Sequence, residues 1–397
     1  MTTAKPLRVG MVGYAFMGAA HSHAWRTAPR FFDLPLQPQL TAVAGRNASG
    51  VRAAADKLGW ESTETDWHRL IERDDVDLID ICTPGNTHAE IAAAALEAGK
   101  HVLCEKPLAN SVEEAERMTV VAEAAAKRGV FAMCGFSYRR TPALALAKRM
   151  VDEGRLGTIR HVRAQYLQDW LSDANAPMTW RLDKSKSGSG SLGDIGAHSI
   201  DAAQWITGQK ITGVSALLET FVPERPLAGD LVGLGGHGDV GQDAPRGAVT
   251  VDDAAIFSAR FDGGAAAGGA VGVFEATRYA LGRKNAMRLE LNGTKASIAF
   301  DFEDMNALSF YDAAESPDAG FRRIFVTEPE HPYVGNWWPT GHGLGYEHGF
   351  THQVVDLVHA LAQGSQPEPS FADALQVQRV LAAVEGSAAN SSQWQKV

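Results

Sequence analysis

The chain has 397 residues, 45% of them hydrophobic and 21% charged, and carries a formal net charge of −10. That length calls for two domains of roughly 100–200 residues each. The acidic balance argues against nucleic acid or an anionic membrane as a partner. No apolar run reaches the ~18 residues of a membrane span. Met1 to Arg8 shows no signal-peptide core, so a cytoplasmic location is expected. Cys82, Cys104 and Cys134 each fall in or at the end of a predicted buried strand and read as small core hydrophobes rather than disulfide partners.

From residue 7 to about 136, apolar strands alternate with helices. Strands are predicted over 7–12, 40–44, 77–82, 101–104 and 130–134, with a helix over 87–96 that stops at Gly99. Ser111 and Glu114 form a capping box for a further helix, which Gly129 closes. This alternation predicts a doubly wound parallel sheet, an α/β domain spanning 1–138.

The first turn, Gly13-Tyr14-Ala15-Phe16-Met17-Gly18, is a dinucleotide fingerprint with alanine at its second glycine. Gly13 permits the tight turn, residue 15 must be small where pyrophosphate nears the backbone, and Gly18 lets helix and strand pack closely. NAD enzymes usually carry an acid after the second strand. Here the chain reads Ala44-Gly45-Arg46-Asn47. Arg46 can pair with a 2′-phosphate, so NADP is expected to be accepted and preferred over NAD. The loop Thr83-Pro84-Gly85-Asn86-Thr87-His88 is expected to cover the nicotinamide, with Asn86 or Thr87 capping the next helix. In Glu105-Lys106-Pro107 a lysine sits at the carboxyl end of a strand, where open α/β sheets bind ligands and an ammonium can donate or take a proton.

Near residue 140 the pattern changes. Thr141-Pro142 opens a helix that ends at Gly154. Strands then follow with little helix between them, over 159–168, 211–221, 254–261, 265–274, 287–291 and 296–300. Turns are expected at Asp262-Gly263-Gly264 and Asn292-Gly293. Two helices end the chain, over 347–362 and 373–387. An α+β domain with a large, mainly antiparallel open sheet is predicted for 139–397. The glycine-rich stretch 228–247 reads as a mobile loop or an intersubunit arm. Gly188 to Asp201 leads small residues into a helix on which Asp194 and His198 share a face, with Asp201 close to the same stripe. A carboxylate can orient a histidine one turn on, and histidine exchanges protons near neutral pH. His348 and His352 have metal-ligand spacing but lack a third ligand and the acid of a metalloprotease motif, so no metal is expected. Tyr166, Gln168, Asp169, Trp170, Trp180 and Arg181 are groups suited to sugars: flat faces, and forked donors and acceptors.

The fingerprint, Glu105-Lys106-Pro107, and Gly193-Asp194 followed by His198 together resemble the Gfo/Idh/MocA family of sugar and cyclitol oxidoreductases. The resemblance covers essentially the whole chain. Tyr166 to Trp170, Val222 to Pro226, Glu275 to Arg278 and His331 to Tyr333 resemble most its anhydrosugar- and inositol-oxidising members. It implies a Rossmann domain, catalytic roles for Lys106, Asp194 and His198, and a homodimer or homotetramer. Ala15, the Gly45-Arg46 pair and Ser137, where many members place asparagine, depart from the family pattern. The cofactor set is Gly13, Ala15, Phe16, Met17, Gly18, Arg46, Asn47, Thr83, Pro84, Asn86, His88, Glu105, Lys106, Trp180 and Arg181. The substrate set is Lys106, Tyr138, Tyr166, Gln168, Asp169, Asp194 and His198. With no Arg/Lys cluster beside these motifs apart from Arg181, a neutral carbohydrate or cyclitol is the expected substrate. The expected reaction is hydride transfer between a ring secondary alcohol and NAD(P). Glycoside cleavage through transient oxidation at a sugar C3, and non-enzymatic sugar sensing, remain open from the sequence.

Overall fold

Alternating strands and helices in the first third of the chain build one parallel sheet. In the computed structural model, which describes residues 5–227, 244–263 and 269–397, the strands are β1 (Lys5–Val12), β2 (Leu36–Ala44), β3 (Ser62–Glu64), β4 (Leu78–Ile81), β5 (His101–Cys104) and β6 (Ala132–Cys134). The helices are α1 (Phe16–Phe31), α2 (Ala48–Leu58), α3 (Trp67–Ile71), α4 (His88–Glu97) and α5 (Val112–Ala126). The strand order is β3-β2-β1-β4-β5-β6, all parallel. The order reverses between β1 and β4, which opens a crevice at their carboxyl ends. β2 starts earlier than expected, because Pro38 lies where β2 has no β3 neighbour needing its missing N–H. β3, Ser-Thr-Glu, is too short and polar to show in a hydrophobic pattern.

The second part contains α6 (Pro142–Asp152), β7 (Ile159–Leu167), α7 (Lys184–Ser187), α8 (Ala197–Thr207), β8 (Ile211–Glu219), β9 (Glu224–Pro226), β10 (Arg246–Ala248), β11 (Ala254–Phe261), β12 (Val271–Thr277), β13 (Ala286–Gly293), β14 (Ala296–Asp301), β15 (Ala307–Asp312) and β16 (Arg322–Phe325). α9 (Tyr346–Gln363), α10 (Phe371–Ala389) and β17 (Gln395–Lys396) follow. Among the described residues nine strands form one sheet in the order β16-β15-β14-β13-β7-β12-β11-β8-β17. Only β7 and β12 pair in parallel. The β13–β14 turn falls at Thr294-Lys295, two residues beyond Asn292-Gly293, because Asn292 still pairs with Ser297. Gly264 and residues 228–243 of the glycine-rich stretch lie outside the described residues.

The chain divides into Met1–Arg140 with Gly345–Leu375, and Thr141–Leu344 with Gln376–Val397. The expected assignment of 139–397 to one domain therefore fails for residues 345–375. The reason is the apolar stripe of α9. Phe350, Val354, Leu357 and Val358 join the core of Val9, Met11, Trp25, Val43, Leu78 and Leu103. Burying side chains of this size stabilises by about 1.5–3 kcal/mol each. Polar bonds fix the register. His352 Nδ1 lies 2.9 Å from the Arg140 carbonyl. The Arg140 Nε donates to Asp356 at 3.0 Å.

Two capping expectations change. Ser111 caps α5 through the Glu114 N–H, but the Glu114 carboxylate accepts from Asn110 N rather than from Ser111. Thr87 occupies the N-cap position of α4 but makes no side-chain cap bond; its hydroxyl instead donates to the Pro84 carbonyl at 2.8 Å. No helix among the described residues is long and apolar enough to cross a membrane.

Burial pushes the His352 pKa down to about 3. The unfolded chain binds a proton below about pH 6.5 that the fold refuses, so stability is lost as pH falls from there toward 3. The amide-exchange protection of α9 should drop by about 1.4 kcal/mol per pH unit from this group. His352→Asn, which keeps a donor for the Arg140 carbonyl without the titration, should flatten that slope. Equal slopes in both proteins would refute the assignment.

Candidate active site

The β1–α1 turn is shaped by close backbone approach. Gly13 has φ +97°, and a Cβ on Gly18 would lie 2.3 Å from the Gly13 carbonyl oxygen. Ala15 occupies the N-cap of α1 without a side-chain bond, and no acid lies in the first turn. Ala15 and Phe16 are exposed and Met17 half-buried. The free N–H groups and positive end of α1 therefore face the β1/β4 crevice. This cradle fits the pyrophosphate of a dinucleotide, since a bare helix N-terminus lined by small residues binds such anions.

At the end of β2 the structure explains the missing acid. A Cβ on Gly45 would lie 2.1 Å from the Tyr14 ring, so Tyr14 fills the space a side chain at residue 45 would need. Arg46 is exposed. Asn47 is the N-cap of α2, its Oδ1 accepting from Gly50 N at 2.8 Å. Its observed contacts are those of a cap.

The loops after β4 and β5 are tied together. His88 is buried, with Nε2 2.9 Å from the Thr83 carbonyl and Nδ1 3.0 Å from that of Pro107. Burial lowers its pKa, so a neutral ring donates to one of these carbonyls at a time. It braces Thr83 and Pro107 from behind, and Asn86 is exposed. Lys106 is half-buried at the exit of β5. Beneath it lies a cluster absent from the sequence reading. His21 Nδ1 is 2.9 Å from Asp80, and Nε2 is 3.0 Å from Glu105. Trp25 Nε1 donates to Asp80 at 2.7 Å. His21, Asp80 and Cys82 also converge within 4.8 Å. Both His21 nitrogens are already directed at carboxylates, and burial pushes the Cys82 thiol away from its thiolate, so this is an ion cluster rather than a ligand set.

The second unit gathers the other candidates. Leu192–Gly196 forms a π turn rather than the expected α turn, and α8 follows. Small residues permit it: a Cβ on Gly193 would lie 2.2 Å from the Ser189 hydroxyl. Wide turns of this kind recur at functional sites. Asp252 fixes the approach, accepting from Gly190 N (2.7 Å), Ser191 Oγ (2.7 Å) and Leu192 N (2.8 Å). Asp194 is half-buried, and its carboxylate accepts from Arg278 Nη1 at 3.4 Å. His198 is 9% exposed, with its ring 6.0 Å from that of Tyr166. The Tyr166 hydroxyl and Gln168 amide both donate to Asn285 Oδ1, at 2.7 and 2.8 Å, while Gln168 Oε1 accepts from Trp170. Asp169 is drawn away into an ion pair with exposed Lys284 at 2.6 Å. Arg181 stacks on the Trp180 ring, 4.5 Å from its centre. Burial lowers the Arg181 pKa while Asp194 opposes that shift. Tyr138 is buried in the first unit, in the Ser137–Arg140 turn. His348 and His352 spend their Nδ1 atoms on the Gly345 N–H and the Arg140 carbonyl.

Arg278 is fully buried and was missed as a site residue, although its segment was singled out. The signal available was an arginine four residues beyond the strand predicted over 265–274, directly after the observed β12.

This combination of a doubly wound parallel sheet with a mixed open-sheet unit is that of a class of NAD-binding oxidoreductases. Residues 7–136 match the oxidoreductase family with NAD-binding Rossmann fold, and residues 144–299 match the GFO/IDH/MocA C-terminal domain. The chain belongs to the Gfo/Idh/MocA oxidoreductases. It is 43% identical to levoglucosan dehydrogenase of Pseudarthrobacter phenanthrenivorans over 97% of both chains. The crystal structure of an oxidoreductase domain protein from Kribbella flavida is 64% identical over 99% of each chain, with TM-score 0.92. A levoglucosan dehydrogenase solved with NADH and levoglucosan is 41% identical over 99% of each chain, with TM-score 0.90.

Asp252→Asn turns an amide N–H₂ toward donors that need an acceptor. It should cost about 1–3 kcal/mol, read as lost amide-exchange protection across residues 190–207. Unchanged protection there would show that Asp252 does not anchor the π turn.

Proposed function

We propose that the chain is a net dehydrogenase of a ring secondary alcohol in a neutral sugar, anhydrosugar or cyclitol, with levoglucosan the first substrate to test. The observation that carries this is the full-length similarity to levoglucosan dehydrogenase, joined to a lysine at the carboxyl end of β5 and a histidine on α8 one turn after a carboxylate. His198 takes the hydroxyl proton. Asp194, held by buried Arg278, orients it and balances the imidazolium charge. Lys106 donates to the same oxygen and stabilises the developing alkoxide. Bound nicotinamide supplies the hydride acceptor. The Tyr166–Gln168–Asn285 network presents fixed polar edges suited to sugar hydroxyls. Leu217, Ile256, Val271 and Val273 form an exposed apolar face on β8, β11 and β12, which supports a homodimer or homotetramer. Light scattering tests the mass.

The test is reduced-nicotinamide formation with levoglucosan, inositols, glucose and xylose. Turnover of one supports the reading. None, with dinucleotide bound, overturns it in favour of glycoside cleavage or sensing. Lys106→Ala and His198→Ala should each lower kcat by about 10²–10⁴-fold, and His198→Ala should leave dinucleotide affinity unchanged within about threefold. A near wild-type kcat in either removes that residue from the chemistry.

For the cofactor, the exposed Arg46 and the Tyr14-filled space beside it support use of NADP as well as the NADH held by the solved relative. Arg46→Ala should lower kcat/KM for NADP by about tenfold, the loss of one charge-assisted phosphate contact, and spare NAD. An equal effect on both cofactors would refute a 2′-phosphate contact.

A further inference from the structure

Apart from Glu105, the His21 cluster has no part in the roles described above, and through Glu105 it reaches the Lys106 peptide. His21 is 1%, Asp80 0% and Glu105 4% exposed. Nδ1 of His21 faces both Asp80 oxygens at 2.9 and 3.0 Å, and Nε2 faces Glu105 Oε1 at 3.0 Å. Where both carboxylates are ionised they only accept hydrogen bonds, and each ring nitrogen then carries a proton. The other Glu105 oxygen accepts the Lys106 backbone N–H at 3.2 Å. One carboxylate thus joins the buried histidine to the lysine's own peptide.

The need for such a joint is local. β5 ends at Cys104, and the Glu105 N–H still pairs with the Ile81 carbonyl at 3.0 Å. The β4–β5 pairing itself ends at Ile81 and Cys104. The Glu105 side chain turns back beneath the peptide instead. Gly135 makes room for it, since a Cβ there would lie 2.8 Å from Glu105 Oε1. Asp80 is itself pinned by the Trp25 indole at 2.7 Å and the Cys82 thiol at 3.5 Å. Phe350 of α9 closes the remaining side, its ring 5.5 Å from the imidazole. A buried Glu105 carboxylate without a cation would stand as an uncompensated charge, which favours its leaving for solvent. That change releases the turn.

We propose that His21, as an imidazolium clamped between Asp80 and Glu105, is the positioning residue that fixes Lys106 at the carboxyl end of β5. This rests on the role given above to Lys106. The groups facing the imidazole are Asp80 and Cys82 from β4 and its exit, Glu105 from the exit of β5, and the uncharged Phe350 from α9. Burial alone would lower the His21 pKa, but Asp80 overrides it and holds the value well above the ordinary one.

Two side-chain amides separate the halves of the clamp. His21→Asn places its N–H₂ near the Nδ1 position and keeps a donor for Asp80 only. His21→Gln reaches the Nε2 position and keeps the donor for Glu105. His21→Asn should lower kcat by about tenfold or more, as a displaced catalytic group does, with dinucleotide affinity within about threefold, and His21→Gln should lose far less. In a Lys106→Ala background, His21→Asn should change kcat by less than about twofold, because both act through one group. Full kcat in His21→Asn, equal losses in the two variants, or an additive loss in the Lys106→Ala background would each overturn the proposal. A nitrogen-15 spectrum of the wild-type protein at about pH 8, where an ordinary histidine is neutral, should show both His21 nitrogens protonated. A neutral-ring pattern would refute it even if no variant folds. If the wild-type protein turns over no substrate, the dehydrogenase reading fails while the spectrum still decides the protonation of the clamp.

Discussion

The first unit depends on one close approach, that of Gly18 to the carbonyl of Gly13. No side chain fits between them, so α1 starts directly over the end of β1 with its N–H groups free. That contact does more than make room for phosphate. It sets the rotation of α1, which brings His21 and Trp25 onto the sheet over Asp80 in β4. From there the geometry runs through Glu105 to the peptide of Lys106. A loosened first turn would therefore be felt at the exit of β5 through a chain of short polar contacts, without altering any strand.

The second unit meets the same physical problem with other residues. Glycine and serine between Gly188 and Gly196 allow the π turn but cannot hold it. Asp252 holds it with three donors at 2.7–2.8 Å, and Arg278 reaches from beyond β12 to Asp194 and to the Asp252 carbonyl. Asp253, its neighbour, accepts from Phe221 N and Val222 N at 2.8 and 3.0 Å. A single β11 entrance thus carries two buried carboxylates that fix two different loops.

What the sequence made legible follows from where the information is local. The fingerprint turn, the α6 start at Thr141-Pro142 and the β11 strand are written in consecutive residues, and each appears within a residue or two of its expected place. The parallel sheet and the mainly antiparallel sheet follow from the spacing of such elements. The return of α9 to the first unit was not legible. Its apolar stripe says that a face is buried but not against what. Likewise Asn47 and His88 carry polar groups at the crevice side of the sequence, yet their side chains are consumed by a cap and by two carbonyls. An aspartate at position 80, between Ile79 and Ile81 in a strand buried at every position, was the one visible sign of the ion cluster. A charge there has to be paired, and only the fold names the partner.

Fully buried charges mark the places where irregular backbone must be held without a ladder. Arg225 spans the carbonyls of Leu171, Asp173 and Ala176 and the Tyr279 hydroxyl, organising the loop after β7 that carries Gln168 and Trp170. Arg278 does this for the π turn, and His21 for the exit of β5. Apolar packing is nondirectional and tolerates small slips. A buried ion tolerates few, because each lost partner leaves an uncompensated charge. Where a side chain must be placed to a fraction of an ångström on a segment with no secondary structure of its own, an ion with several directed partners supplies the restoring force that packing cannot. The cost of burying these charges falls on loops beside the candidate chemistry, which is where such precision has a use.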